Sequence, residues 1–438
     1  MKIKLSFLNQ FGLQVALVTA FTGTLGLAFD LGPFHMFPYR IMVFIMWFLV
    51  FIKTGTIDIG RVRMTLSFQF LLIWLIYGVL SLLWAMDKAG ALKHIVFMTL
   101  NFSMIFFIVF LTDTFSSFKR LYNIWMMIFV VLIPIAFWEV LTGNHLSVSG
   151  LNNVSEGYEF YKFAPTTLFG NQNDYATFIA MSLPMFMVGV RYSQKTSSKL
   201  LMGIIYGCGI VILIFSTSRS NYIGVILGLM FWFLFMQDVK TKFKLIFTFV
   251  VVLFIVSFYL SSRNMEYLTG VWQDFEALLN VQNGGDSGLN SRQNLVRNAI
   301  YFAVKSGGFG VGAGNVEYYM ANSPKFYVGA YTNVHNWWAE LLANYGIIIF
   351  LMYVFFYFGL GRSLWKLYLN LSDRNEKMIC EALLCGLITF SVSSLSPSSV
   401  MSFRPQWIFF GLVIAFININ KNKKLDSTRI NAHTNHSF

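Results

Sequence analysis

The stretch TNVHNWWAELLANYG, Thr332 to Gly346, sets His335 between Asn333 and Asn336 and places Glu340 five residues further on, at the mouth of an apolar run. An imidazole titrates near neutral pH and can therefore take a proton from a hydroxyl. Elsewhere, basic residues stand at or near the ends of apolar runs or on the amphipathic stretch between them: Arg40 in FPYRIMVF, Arg219 in STSRSNYIG, Arg292 and Arg297 in NSRQNLVRNAI, and Arg404 in SFRPQW. A guanidinium stays charged and grips oxyanions with paired hydrogen bonds. Guanidinium groups gathered around an imidazole suit a phosphate or diphosphate, whose charge they stabilise as it leaves, while the imidazole activates an acceptor hydroxyl. Few acids accompany them. Glu139, in AFWEVLTG, and Glu340 could each pair with an arginine, orient an acceptor or orient His335. Asn171 and Asn173, in FGNQNDYATF, are candidates for hydrogen bonds to a sugar, although Asn173 and Asp174 also fit a helix cap.

The other polar residues have structural alternatives too. Arginines at helix mouths, such as Arg404 and Arg297, can reach lipid headgroups by snorkelling. His335 between two asparagines suits a cap as well. Arg219 has the least room for such a role. Ser216, Thr217, Ser218, Ser220 and Asn221 surround it with hydrogen-bonding groups between two apolar runs. A polar knot of that kind is costly in lipid unless it lines a cavity.

The elements that must position these residues are membrane spans. The chain has 438 residues, 56% apolar and 12% charged, against roughly a quarter charged in soluble domains. Apolar stretches long enough to cross a bilayer recur along its whole length, without the alternation of barrel strands. The expected fold is all-α, a polytopic helical membrane protein. About twelve spans are expected, near 11–29, 38–53, 66–84, 94–112, 119–141, 173–190, 199–216, 219–236, 243–260, 337–359, 376–396 and 404–419. With a cytoplasmic N-terminus, 21 of the 32 Lys and Arg fall in inside segments, which predicts both termini in the cytoplasm. The arginines above and His335 then share the extracytoplasmic face. The basic, apolar N-terminus reads as a retained first helix. Three parts are expected: a first bundle of about nine helices over 1–260, a large extracytoplasmic loop over 261–336, and three helices with a cytoplasmic tail over 337–438. Within the loop, Leu295, Ala299, Ile300 and Phe302–Ala303 form a helical stripe, with Ser291 as a cap. This predicts an amphipathic helix near the outer surface. The following GGFGVGAGN, Gly307 to Asn315, is a turn and not a phosphate loop, since no Gly-Lys-Ser/Thr follows.

The net charge of +13 sits in short caps between apolar runs, so it orients helices and does not signal nucleic acid. No outer Asp-x-Asp pair and no His/Cys ligand cluster points to a metal, and no cofactor is expected. The three cysteines form no disulfide framework. A base beside a diphosphate clamp at an outer cavity describes glycosyl transfer from a lipid-diphosphate sugar donor. A transporter of an anionic solute or of lipid-linked sugar is the alternative from another class, although polar groups at one mouth and no internal repeat fit it less well.

These motifs resemble the O-antigen ligase / O-antigen polymerase superfamily of bacterial envelope proteins. SRS at Arg219, NSRQNLVRNAI at Arg292, GGFGVGAGN and VHNWWAELLANYGIIIF carry the likeness, with FPYRI, EVLTGN and FGNQNDYA weaker. The resemblance implies an inverting, metal-independent transferase in the bacterial cytoplasmic membrane. Its donor would be an undecaprenyl-diphosphate-linked glycan, its acceptor a glycan hydroxyl, and its partners membrane lipids, a flippase and a chain-length regulator. Arg219 and Arg292 would hold the diphosphate and His335 would act as base. The product would be a capsule, exopolysaccharide, O-antigen or teichuronic-type polymer. Lys-, Asn-, Ile- and Phe-rich usage suggests an AT-rich genome and favours a polymerase over a ligase to lipid A–core.

Overall fold

The computed structural model describes residues 2–22, 28–31, 34–52, 63–153, 162–244, 288–329, 331–399 and 401–435. The expected ninth span, 243–260, lies almost wholly outside these residues, as does the loop segment 261–287. The protein is an all-α polytopic membrane protein. Its helices in chain order are α1 (Lys2–Thr22), α2 (Pro38–Ile52), α3 (Thr65–Leu80), α4 (Lys88–Leu111), α5 (Phe115–Thr142), α6 (Gln172–Tyr192), α7 (Thr196–Phe215), α8 (Arg219–Met236), α9 (Gly288–Lys305), α10 (Val316–Asn322), α11 (Trp337–Asn370), α12 (Arg374–Ser393) and α13 (Arg404–Asn435). Every expected span except the ninth overlaps one of them. Six described helices (α4, α5, α7, α8, α11, and α3 with its terminal turn) are long and apolar enough to cross a membrane. Helices are the form in which such runs satisfy every backbone group without water.

Two departures sit near the start. The first helix is described as far as Thr22, and residue 29, expected within it, is instead in a strand, Phe29–Leu31, which pairs antiparallel with Phe34–Met36. Helix ends follow local chemistry. Asp87 caps α4 by accepting from Gly90 N, Thr114 and Ser117 form a reciprocal cap on α5, and Gly143 closes α5 in the left-handed region at φ 65°. Phe44, Phe48 and Phe51 on α2, Leu200 and Ile204 on α7, and Ile223 and Ile226 on α8 are exposed, as suits surfaces that face lipid.

One continuous core joins residues of α1 to α8 and α11 to α13, while α9 and α10 pack in a second, smaller cluster. At its centre Trp74 of α3 meets Trp337 and Tyr345 of α11 and Trp407 of α13, with ring centroids 5.5–6.0 Å apart. Edge-on and tilted pairs of this kind each add about 0.5–1.5 kcal/mol beyond burial. They lock the start of α11, just past His335, to the middle of the bundle.

The starts of α6, α8, α11 and α13 share one end of the bundle with the end of α12. The opposite end is tied by a buried carboxylate. Glu381 of α12 accepts two bonds from Arg191 Nη1 (2.8 and 2.9 Å), one from Tyr192 Oη (2.9 Å) and one from Trp232 Nε1 (2.6 Å). Lys423 pairs with Glu376 at that end as well.

Helix α11 is broken at Gly346, with φ 75° and ψ −176°. The glycine-rich turn docks into the break. Val311 N donates to Ala343 O, Gly312 N to Asn344 O and Ile347 N to Gly308 O, at 2.8–3.0 Å. Irregular backbone at this depth is tolerable because protein covers it. Only glycine fits at Gly346, since a Cβ there would fall 2.5 Å from the Phe309 carbonyl carbon. The same turn anchors to the α3–α4 connection, where Trp84 Nε1 donates to Gly310 O and Ser81 Oγ accepts from Ala313 N, both at 3.0 Å.

Candidate functional site

Helix α9 carries Arg292. Its buried stripe, Leu295, Ala299 and Phe302, packs against Val316 and Met320 of α10 and against Ala339 and Ala343 of α11. The stripe therefore faces protein, and Ile300 points outward instead of joining it. Ser291 lies inside the helix, which starts at Gly288, so it is not the cap. Buried Asn298 holds the return of the chain, donating to Phe326 O (2.7 Å) and accepting from Lys325 N and Phe326 N (2.8 and 2.9 Å). Arg292 is exposed, and Arg297 lies over the Phe326 ring at 5.9 Å.

His335 sits immediately before α11 with a left-handed backbone, φ 50°. Such a conformation in a residue with a side chain costs roughly 1–3 kcal/mol and is held by its surroundings. Asn336 caps α11, accepting from Ala339 N at 3.2 Å. His335 Nδ1 lies 3.4 Å from Ser396 O. A carbonyl only accepts, so this contact puts the proton on Nδ1 and leaves Nε2 as the basic nitrogen. Burial, reinforced by the positive charge of Arg292, lowers the His335 pKa, with the Ser396 carbonyl opposing it. The imidazole is therefore neutral at pH 7.

Ser396 belongs to the connector 394–403 between α12 and α13, and this connector gathers the site. Ser396 Oγ donates to Asn173 Oδ1 (3.0 Å) and meets Ser218 Oγ (2.6 Å), and Ser218 also donates to Asn173 (2.9 Å). Ser218 precedes Arg219, the exposed first residue of α8, and Thr217 beside it is again left-handed, φ 54°. Asn171 Nδ2 donates to Ser398 Oγ (2.9 Å), and Ser399 Oγ donates to buried Glu340 Oε1 (2.9 Å). The true cap of α6 is Asn171, which accepts from Asp174 N, and not Asn173 or Asp174. Asn173 instead bridges two serines. The connector thus joins α6, α8 and α11, and its neighbours Arg219 and His335 come from chain positions more than a hundred residues apart. Nothing in the sequence reading singled out the serine-rich connector. Its signal was there, because SSLSPSSVMS is a second polar knot between two apolar helices.

Two other groups of candidates stand apart from this cluster. Glu139 is fully buried and accepts from Thr166 N and Thr167 N, both at 2.7 Å, with His145 Nδ1 at 3.5 Å. It fastens the end of α5 to the loop before α6. Arg40 and Arg404 both lie over the Phe37 ring, at 4.8 and 4.4 Å, and Arg404 Nη1 donates to Ala20 O at 3.1 Å. Arg404 therefore points into the protein between α1 and α2. Among the described residues no group of three or more His, Cys, Asp or Glu could hold a metal ion.

A family model described as O-antigen ligase matches residues 204–354. The chain is also 30% identical over 430 residues to the teichuronic acid biosynthesis protein TuaE of Bacillus subtilis strain 168, a match covering 94% of this chain and 85% of that relative. The chain belongs to the O-antigen ligase family. The O-antigen ligase segment contains Arg219, Arg292, His335, Asn336 and Glu340, while Arg40, Glu139, Asn171, Asn173 and Arg404 lie outside it. As a member of the O-antigen ligase family, the protein is a polysaccharide polymerase or ligase of envelope polymer synthesis.

Proposed function

We propose that the protein is a polymerase that transfers glycan from an undecaprenyl-diphosphate-linked donor to an acceptor sugar hydroxyl at the outer face of the cytoplasmic membrane. One observation carries this reading. Ser396 touches His335 through its carbonyl and the Ser218–Arg219 start of α8 through its hydroxyl, while the charge of Arg292 acts on the same imidazole. The candidate base and the residue before Arg219 thus share one connector, and Arg292 is near enough for its charge to act on the imidazole, which supports a joint role for the three. In the step proposed, His335 Nε2 takes the proton of the acceptor hydroxyl. The oxygen attacks the anomeric carbon from the face opposite the diphosphate, the carbon–oxygen bond to the diphosphate breaks, and its electron pair leaves with the lipid diphosphate. Arg219 and Arg292 balance the charge that develops there, aided by the positive ends of α6, α8 and α11. His335 then returns its proton to water, and the anomeric configuration is inverted. Asn171, Asn173, Asn336 and Glu340 hold the connector and the base in position.

General base catalysis is worth roughly 10²–10⁴ in rate, and a charge-stabilising donor about 10²–10³. His335→Ala and Arg219→Ala are therefore expected to lose at least about 100-fold in polymer formed by purified protein from lipid-linked donor, with insertion into the membrane unchanged. Polymer of normal amount and length from both variants would overturn the reading. The relative's role in teichuronic acid biosynthesis supports an acidic polymer as product. Deletion in the native cell separates polymerase from ligase, since a polymerase defect leaves single repeat units attached while long chains disappear.

A further inference from the structure

A groove of about 380 Å³ opens between the start of α3, the second half of α11 and Lys421 of α13. Its body is apolar. Phe70 of α3 and Phe356 of α11 are buried with ring centroids 5.1 Å apart, and exposed Leu66 and Phe355 stand beside them. Gly359 leaves room in it, since a Cβ there would meet nothing within 4 Å. On α11 the lining runs from Met352 to Ser363. Eleven helical steps make about 16 Å, close to half of the roughly 30 Å hydrocarbon thickness of a bilayer. The groove therefore has the depth of one leaflet.

Its mouth is basic. Arg63 and Lys421, both exposed, line it beside Met64. Helix α13 holds Arg63 in place, because Asn418 Oδ1 accepts from Arg63 N (2.7 Å) and Asn422 Oδ1 from Arg63 Nε (3.1 Å). The second bond engages one of the five N–H donors of a guanidinium. Lys421 Nζ lies 3.4 Å from Met64 Sδ, a weak acceptor, which sets the ammonium next to Arg63. This is the end of the bundle where Lys423 pairs with Glu376, away from the serine-rich connector. Phosphate oxygens take strong charge-assisted bonds from both kinds of cation, and basic pockets between membrane helices suit acidic lipid headgroups. A ligand that fits the whole groove is charged at one end and apolar for the depth of a leaflet.

We propose that this groove binds an anionic glycerophospholipid, its phosphate between Arg63 and Lys421 and one acyl chain along Phe70, Phe356, Phe355 and Met352. The test titrates the purified full chain in detergent with phosphatidylglycerol and with phosphatidylcholine, and counts bound lipid by native mass spectrometry. Wild type is expected to favour phosphatidylglycerol. Arg63→Gln and Lys421→Gln should each weaken that lipid about fivefold and leave phosphatidylcholine unchanged. Lys366→Gln, which removes an exposed cation of α11 outside the groove, should change neither. Gly359→Leu puts a side chain into the groove and should weaken both lipids at least tenfold. Glycerol 3-phosphate has the headgroup charge without the chains and should not displace the lipid. Phosphatidylglycerol binding as in wild type by Arg63→Gln or by Lys421→Gln would overturn the proposal, even if Gly359→Leu fails to fold. So would an equal loss in Lys366→Gln, undiminished binding in folded Gly359→Leu, or displacement by glycerol 3-phosphate, which would make this a site for soluble phosphate. No arm reads polymer synthesis, so the outcome does not depend on the transferase reading.

Discussion

Replacing Gly346 by alanine tests how the broken helix supports the site. The residue combines φ 75° with ψ −176°, a region essentially reserved for glycine, where a side chain costs about 1–3 kcal/mol. Its new Cβ would lie 2.5 Å from the Phe309 carbonyl carbon and 2.8 Å from the carbonyl oxygen. Those atoms belong to backbone pinned on both sides, so forcing them apart adds about 1–3 kcal/mol. A total near 4 kcal/mol, set against an unfolding entropy of about 2.1 cal/mol/K per residue, lowers the melting midpoint by about 4 °C. Activity should suffer more than stability. The half-helix Trp337–Tyr345 carries Asn336 at its start and Glu340 within it, and a misplacement of about 1 Å in a catalytic constellation costs roughly 100-fold. The assay is tryptophan fluorescence melting of the purified protein alongside polymer synthesis. Gly359→Ala is the control in the same helix. A Cβ there meets nothing within 4 Å, and exchanging glycine for alanine in a helix gains about 0.5–1 kcal/mol. If Gly346→Ala melts and turns over like Gly359→Ala, the account of the break is wrong.

Four further outcomes are expected. Arg292→Gln removes a charge that depresses the His335 pKa, so the acid limb of the pH–rate profile should move to higher pH, toward the ordinary imidazole value, while Arg297→Gln leaves it in place. By the same sign, the stability tied to His335 is full above about pH 6.5 and is lost as pH falls toward the folded value, which a melting series across pH 5–8 would record. Glu381→Ala strands Arg191, Tyr192 and Trp232 and should cost about 3–5 kcal/mol, read as a lower melting midpoint or loss of folded protein. Glu139→Ala leaves the Thr166 and Thr167 N–H groups buried without their acceptor, at about 1–3 kcal/mol each, and should speed proteolysis or hydrogen exchange in the loop before α6.

The helices were legible because a bilayer leaves an apolar run no other way to satisfy its backbone. Their polar ends were legible because charge in such runs is rare and each instance asks for a cause. What could not be read was pairing across distance. GGFGVGAGN looked like a bare turn because its partners, Ala343 to Ile347, stand some thirty residues on. Arg40 and Arg404 looked like companions of Arg219, since all are arginines at helix mouths, yet they share a ring with each other and a cavity with Lys93. Lys93 itself drew no notice, for nothing local distinguishes it from a headgroup-facing lysine. The cap expected at Asn173 or Asp174 falls to Asn171, because a two-residue shift in helix start decides which side chain faces the first turn. Glu139 shows the converse. Read in the sequence as an acid that could pair with an arginine, it is occupied by backbone N–H groups.

The Glu381 knot bears on how substrates come and go. Four hydrogen bonds to one carboxylate rivet α6, α8 and α12 where they lie farthest from the serine-rich connector. Carrying a solute through the bundle would require those rivets to part on every cycle, exposing a desolvated charge each time. A bundle bolted at its base in this way holds three helices in fixed register beneath the connector, as a clamp holds the stems of its jaws.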